Sequence, residues 1–223
     1  MHGGEMIGTE ELEKLRNSKR VDVLYNGIDL KQFYQVISEN ERKIIREEYG
    51  LKPNDFVLVF CGRLIPEKGV KEIILAMKKL KNINNVKLLI IGNSAFGKNE
   101  KTKYQEELYK ISKDLINNII FTGFIHNKDL YKIYNIADAA ITPSIWEEAS
   151  PLVIVEEMAS GLPIITTDSG GIPELVNFDS AIILKRDESL VENIARNIEL
   201  LIVDENRRTR MSIERKRKKQ GVF

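Results

Sequence analysis

The sequence has one cysteine, Cys61, and two histidines. A single thiol excludes an intramolecular disulfide, and with three His and Cys residues in all, a three- or four-ligand zinc-type site is nearly excluded. The chain also lacks a strong charge of either sign, since 34 basic residues against 33 acidic ones give a net +1. No overall field draws it to nucleic acid, and no nucleic-acid partner is expected. No apolar run approaches the roughly 20 residues that cross a bilayer. The opening residues, MHGGEMIGTEELEK, carry neither the basic nor the apolar part of a signal peptide. These absences lead to the expectation of a soluble chain in a reducing, cytoplasmic setting. What remains is ordinary globular composition, 43% hydrophobic and 30% charged over 223 residues, enough for one sizeable domain.

Short apolar runs rich in Val, Ile and Leu fall at 21–25, 56–61, 86–91, 119–122, 139–142, 163–166 and 181–184. They lack strict alternation, as strands buried on both faces do. Helical patterns lie between them near 40–49, 68–81, 102–116, 127–137, 151–160 and 188–203, and Val70, Ile73, Ile74, Met77 and Leu80 form one apolar stripe. Strand and helix in alternation predict a doubly wound, Rossmann-like α/β fold with a parallel sheet. Ligands of such sheets bind outside the carboxyl ends of the strands. Three parts are expected: a linker at 1–20 with a short helix at 10–17, a domain at 21–204, and a basic tail at 205–223. From Arg207 to Gln220 the tail carries +7, which leaves −6 for the rest. A solvated helix end or a disordered terminus is the favoured reading of it, with a contact to acidic lipid as the alternative.

Three strand-end loops hold residues suited to chemistry. After the strand ending at Cys61 comes Gly62-Arg63-Leu64-Ile65-Pro66-Glu67-Lys68-Gly69. Arg63 offers a planar fork and Lys68 a compact charge beside a helix N-terminus, the combination a diphosphate needs. Two solvated loop cations would give the same pattern. The second loop runs from Ile145 into Ser150-Pro151-Leu152, with Ser150 as N-cap and Pro151 as first helical residue. Glu148 precedes the helix and Glu156 lies inside it among Val153, Val155 and Met158. A carboxylate there could accept from the vicinal hydroxyls of a sugar, although periodicity alone favours Glu156 and Glu157 as exposed positions. The third loop has Gly170-Gly171, which suits either a close-lying ligand or a tight structural turn. Asn127 is expected as the N-cap of its helix, beside His126. Gly92 to Asn99 matches a P-loop except at Asn99, where a magnesium-binding hydroxyl belongs; a P-loop-like NTPase using Lys98, or a non-catalytic nucleotide-binding module, is the alternative reading.

Taken in order, the motifs resemble the C-terminal, nucleotide-sugar-binding half of retaining GT-B glycosyltransferases of family 4. They are Val23-Leu24-Tyr25-Asn26-Gly27-Ile28-Asp29, Gly62-Arg63-Leu64, Lys68-Gly69, Leu89-Ile90-Ile91-Gly92, Phe121-Thr122-Gly123-Phe124, Pro143-Ser144, Glu148 to Glu156, and Gly170-Gly171-Ile172-Pro173-Glu174. The resemblance covers about residues 21–204. It implies transfer of a sugar from a UDP- or GDP-sugar to a glycan or lipid-linked acceptor, with retention at the anomeric carbon and without a metal or other cofactor. It implies that Arg63 and Lys68 bind the diphosphate, Glu156 the ribose hydroxyls and Glu148 the donor sugar. The amides around Ser150, Pro151 and Leu152 would lie beside sugar and phosphate, Phe124 near the base, and Gly92 in a loop facing the donor. A full enzyme of that family carries an acceptor domain before this one. With about 20 residues ahead of Val21, the chain is expected to be an incomplete half that transfers little alone. A peripheral contact with the inner face of a membrane is compatible with the basic tail.

Overall fold

The computed structural model describes residues 26–93, 102–176 and 179–218, with side chains as far as Ser212. The expected helix at 10–17, the expected strand at 21–25 and Lys98 lie outside the described residues. In chain order the elements are α1 (Leu30–Phe33), α2 (Glu39–Glu48), β1 (Phe56–Cys61), a 3-10 turn (Pro66–Lys68), α3 (Val70–Lys79), β2 (Val86–Ile91) and α4 (Lys103–Ile111). They continue through β3 (Ile119–Gly123), α5 (Asn127–Ile136), β4 (Ala139–Thr142), α6 (Leu152–Ala159), β5 (Ile164–Thr167), α7 (Ile172–Leu175), β6 (Ala181–Leu184), α8 (Leu190–Val203) and α9 (Glu205–Lys218).

All strand pairs are parallel, in the order β3-β2-β1-β4-β5-β6. The sheet is doubly wound and parallel, as the alternating pattern predicts. The strand order reverses direction between β1 and β4, which pair Leu58 with Ala139 and Val59 with Ala140. Helices leaving β1 and β4 diverge to opposite faces at such a reversal, so a crevice opens above the two carboxyl ends.

β1 explains why the runs do not alternate. Phe56, Leu58 and Phe60 pack with Ile73 and Met77 of α3 and Ile194 and Ile198 of α8. Val57 and Val59 pack on the other face with Ile133 and Tyr134 of α5 and Ile154 of α6. Both faces are buried, so every position is apolar. The stripe Val70, Ile73, Ile74, Met77 and Leu80 is buried along its whole length. At the amino end of the sheet, Arg46 donates to the carbonyls of Ile136 at 2.8 Å and Lys52 at 3.1 Å, and lies 3.8 Å from Asp138. Asp138 in turn accepts from Val57 N at 2.8 Å.

The stretch read as a solvated helix end or disordered terminus begins as helix α9, and its first turns are docked on the domain and not solvated. Arg208 donates to the carbonyls of Leu201 and Ile202 at the end of α8 and stacks over the Phe56 ring at 5.4 Å. Met211 is buried in the core. A cation at the carbonyl end of α8 meets its unpaired acceptors and the negative end of its dipole.

Candidate active site

The loops after β1 and β4 close on one another through their backbones. Ile145 N donates to Glu67 O at 2.9 Å. Gly69 has φ +70, and a Cβ there would lie 2.1 Å from Pro143 O. Only glycine permits so close an approach. The zipped loops bring together two residues that the sequence holds 80 positions apart: Lys68 Nζ lies 2.5 Å from Glu148 Oε1, with both side chains mostly buried. Ser144 donates to the same oxygen at 2.8 Å. Arg63, on the same loop as Lys68, is exposed and makes no ion pair among the described residues. Gly92 serves the same packing, with φ +131 and a Cβ position 1.9 Å from Gly62 O. Leu64 N donates to Asn93 O at 3.1 Å, which fastens the β1 loop to the β2 loop.

Glu156 and Glu157 are not exposed helix positions. They retain 7% and 0% exposure. Periodicity fails because α6 carries apolar residues on nearly all sides and donors from neighbouring elements meet both oxygens of Glu156 and Oε1 of Glu157. Glu156 Oε1 accepts from Asn127 Nδ2 at 3.0 Å and Oε2 from the Tyr134 hydroxyl at 3.3 Å. Burial raises the Glu156 carboxyl above its ordinary value, and these two bonds hold it down. Glu157 Oε1 accepts from Thr142 Oγ1 at 2.8 Å. The helix start also differs from the expectation. Pro151 is the N-cap, with no side-chain bond, and Leu152 is the first helical residue. Ser150 Oγ is buried with no hydrogen-bond partner among the described residues, while Ser150 O accepts from Asn26 Nδ2 at 3.1 Å. Proline offers no side-chain acceptor; Ile154 N donates to Pro151 O at 3.1 Å, and the amides of Leu152 and Val153 have no side-chain cap at the start of α6.

The glycines of the third loop approach protein backbone. Cβ atoms at Gly170 and Gly171 would lie 2.3 Å from Glu148 O and 2.3 Å from Ala149 O, and Gly171 N donates to Glu148 O at 2.7 Å. Thr167 Oγ1 donates to Ser144 O at 2.6 Å and Ser169 Oγ to Trp146 O. Arg186 joins Glu147 at 2.8 Å and Asp168 at 3.2 Å. The structural turn is thus the correct reading of Gly170-Gly171: it seats the Glu148 segment. Phe124 and Trp146 stay exposed at the rim, Phe124 edge-on to His126 at 5.2 Å.

Ser144, Asn127, Tyr134 and Arg186 are the participants that motif reading did not single out as site residues. Asn127 was hidden by its expected role as N-cap. His126 takes that place, which leaves the Asn127 side chain for Glu156. Tyr134 lies on the apolar stripe of α5 and reads as core.

Residues 41–219 match the family model described as glycosyl transferases group 1. The lipopolysaccharide 1,2-N-acetylglucosaminetransferase of Salmonella typhimurium is 31% identical over 158 residues, 70% of this chain and 40% of that protein. The chain spans 39%, 55% and 40% of the length of three curated relatives. The structure of HepE from Anabaena in complex with UDP and glucose is similar at a TM-score of 0.75 and 26% identity, covering 86% of this chain and 50% of that one. A C-terminal domain of a group 1 glycosyl transferase (LpcC) from Francisella tularensis aligns at a TM-score of 0.67 and 25% identity, over 83% of this chain and 93% of that one.

Proposed function

The chain belongs to the glycosyl transferases group 1, and we propose that it is the donor-binding, C-terminal half of a retaining, family 4 enzyme of GT-B architecture. The observation that carries this reading is the Lys68–Glu148 pair at the crevice between β1 and β4, with Arg63 exposed on the same loop. Lys68 has three N–H donors, and its bond to Glu148 uses one of them. The others, with the Arg63 fork and the uncapped amides of Leu152 and its neighbours, suit the oxygens of a diphosphate. Glu148 engages Lys68 and Ser144 through Oε1, which leaves Oε2 for a hydroxyl of the donor sugar. Glu156 takes the ribose hydroxyls and Phe124 lies towards the base.

In the reaction, the bond between the anomeric carbon and the donor phosphate oxygen breaks with its electron pair going to that oxygen, an acceptor hydroxyl oxygen bonds to the anomeric carbon on the same face, and the hydroxyl proton passes to the departing diphosphate. Arg63 and Lys68 meet the charge as it develops, so no metal is required of the site. One such contact is worth about 3 kcal/mol of barrier, roughly a hundredfold in rate. The acceptor, a glycan or lipid-linked sugar, is bound by a partner domain outside this chain, and the chain alone transfers little. HepE holds UDP and glucose, which makes uridine the first base to test, with guanosine second. No described helix is long and apolar enough to cross a membrane; contact with acidic lipid through the basic end of the chain is part of the same proposal.

The test is calorimetric titration with UDP and with GDP, each with and without magnesium. Binding to one of them that needs no metal, and that Arg63→Ala and Glu156→Ala abolish, is the expected result. Binding that requires magnesium and is lost instead in Lys98→Ala would replace this reading with the P-loop one.

A further inference from the structure

Glu156 is held by two neutral donors on α5, and one of those donors is itself held from α1. An Asn side chain presents an acceptor at one end and a donor at the other, and its orientation is set by what each end meets. Asn127 Nδ2 faces Glu156 Oε1 at 3.0 Å. Its other end meets Gln32 Nε2, which donates to Asn127 Oδ1 at 3.0 Å and also to the Asn127 carbonyl. An NH₂ group arriving there requires an oxygen, so Gln32 turns the donor end of Asn127 towards the carboxylate. Gln32 is fixed in turn by its short helix. Asp29 caps that helix through Lys31 N at 3.0 Å, and Phe33 is buried with its ring 6.0 Å from that of Tyr134. Tyr134 is the second donor to Glu156. The segment that leads into the sheet therefore touches both groups that hold this carboxylate.

We propose that Gln32 and Asn127 form a relay from α1 that fixes the orientation and charge of the Glu156 carboxylate, which makes Asn127 a positioning residue for the ribose of the nucleotide. The inference rests on the reading of Glu156 as the ribose-binding group. The other titratable groups around it are Tyr134 on α5, Cys61 at the end of β1 and Glu157 on its own helix. Burial pushes the Cys61 thiol up to about 12 and the Tyr134 phenol well above its usual range, so both are neutral at pH 7. Glu157 directs Oε1 to Thr142. Among the described residues no cation offsets the burial of Glu156; the two hydrogen bonds do so. Losing the Asn127 donor shifts the balance towards the protonated form, which offers one acceptor fewer to a pair of ribose hydroxyls.

The experiment follows the Glu156 carboxyl by carbon-13 NMR titration of the free chain and measures the affinity for UDP across the same pH range. In Asn127→Ala the Glu156 titration moves to higher pH, the acid limb of UDP affinity moves with it, and affinity at pH 7 falls about tenfold. Asn127→Asp moves both further, Gln32→Ala moves both by less, and Asn127→Ser, which keeps a donor, recovers part of the loss. A Glu156 titration in Asn127→Ala that matches wild type, in a chain whose spectrum shows it folded, overturns the relay. That outcome leaves the ribose reading standing if Glu156→Gln still abolishes binding. Wild-type affinity in Glu156→Gln overturns the ribose reading itself, and the relay with it.

Discussion

Glu148 and Glu156 stand on one short stretch of chain, yet the fold gives them opposite surroundings. Glu148 lies in a loop and is met by a cation and a hydroxyl at one oxygen, Lys68 at 2.5 Å and Ser144 at 2.8 Å. Glu156 lies on α6, is buried deeper, and among the described residues is met only by the neutral donors Asn127 and Tyr134, one on each oxygen. Two carboxylates of one motif thereby acquire different chemistry from their partners. The first is part of a charge array that a diphosphate can join. The second is a desolvated acceptor pair that hydroxyl groups can satisfy. They are also held by different parts of the molecule: Glu148 by the loops after β1 and β5, Glu156 by α5 and, through it, α1.

The sharpest way to break that comparison is Gly170→Ala, which acts on the Glu148 side alone. The added Cβ would lie 2.3 Å from Glu148 O and 2.7 Å from Glu148 N, at a backbone φ of +48. Both contacts are to backbone, so no rotamer change relieves them. The substitution is expected to cost at least about 2 kcal/mol of stability, read by urea denaturation, and to weaken donor binding through a displaced Glu148. The Glu156 titration should stay as in wild type. If it moves as well, the two carboxylates share a support, and their independence is wrong.

Much of this arrangement was legible in the sequence. Strand runs and the amphipathic stripe of α3 gave the parallel sheet, because burial on both faces and on one helix stripe leaves a direct apolar record. That the loops at the carboxyl ends of the strands are the place to look for a site followed from the topology. Three things were not legible. Glu156 and Glu157 read as exposed because their donors, Asn127, Tyr134 and Thr142, come from other elements, and a window along one helix cannot contain them. Gly170-Gly171 suited ligand and backbone equally, since glycine records that something is close and not what it is. The packing of Arg208 and Met211 was masked by the charge of their neighbours, although a cation can cap a helix end as readily as it can face water.

The next test reverses a sign between the two carboxylates. Glu156 titrates higher in the folded chain than its ordinary 4.5. The folded state therefore keeps its proton to higher pH, and stability falls as pH rises from about the ordinary value through the raised one. Above that window the ionised, buried group costs stability. Glu156→Gln should thus raise the melting temperature at neutral pH by a few degrees while abolishing UDP binding. Glu148→Gln removes the charge partner of Lys68, whose side chain is only 19% exposed, and should lower it by a similar amount, about 1 kcal/mol in stability. Differential scanning calorimetry of both variants at neutral and mildly acidic pH decides the matter. The gain from Glu156→Gln should vanish once the pH is below the window. Two shifts of the same sign at neutral pH would mean that burial, and not partner charge, separates the pair.

The smallest effect is expected at Arg186, which ties the Glu148 loop to the β5 loop by charge. Its ion pairs to Glu147 at 2.8 Å and Asp168 at 3.2 Å involve carboxylates close to half exposed. Pairs of this kind contribute at most about 1 kcal/mol and weaken as salt screens them. Beneath them, the Gly171 N–H to Glu148 O bond and the Thr167 hydroxyl to Ser144 O bond hold the same loop by contacts that salt does not reach. Arg186→Gln should therefore lower stability by less than about 1 kcal/mol at low salt and by almost nothing at high salt, in paired urea denaturations. A larger loss that persists at high salt would show that Arg186 carries the loop, and that Glu148 depends on a surface cation where Glu156 depends on a neutral amide and a buried phenol.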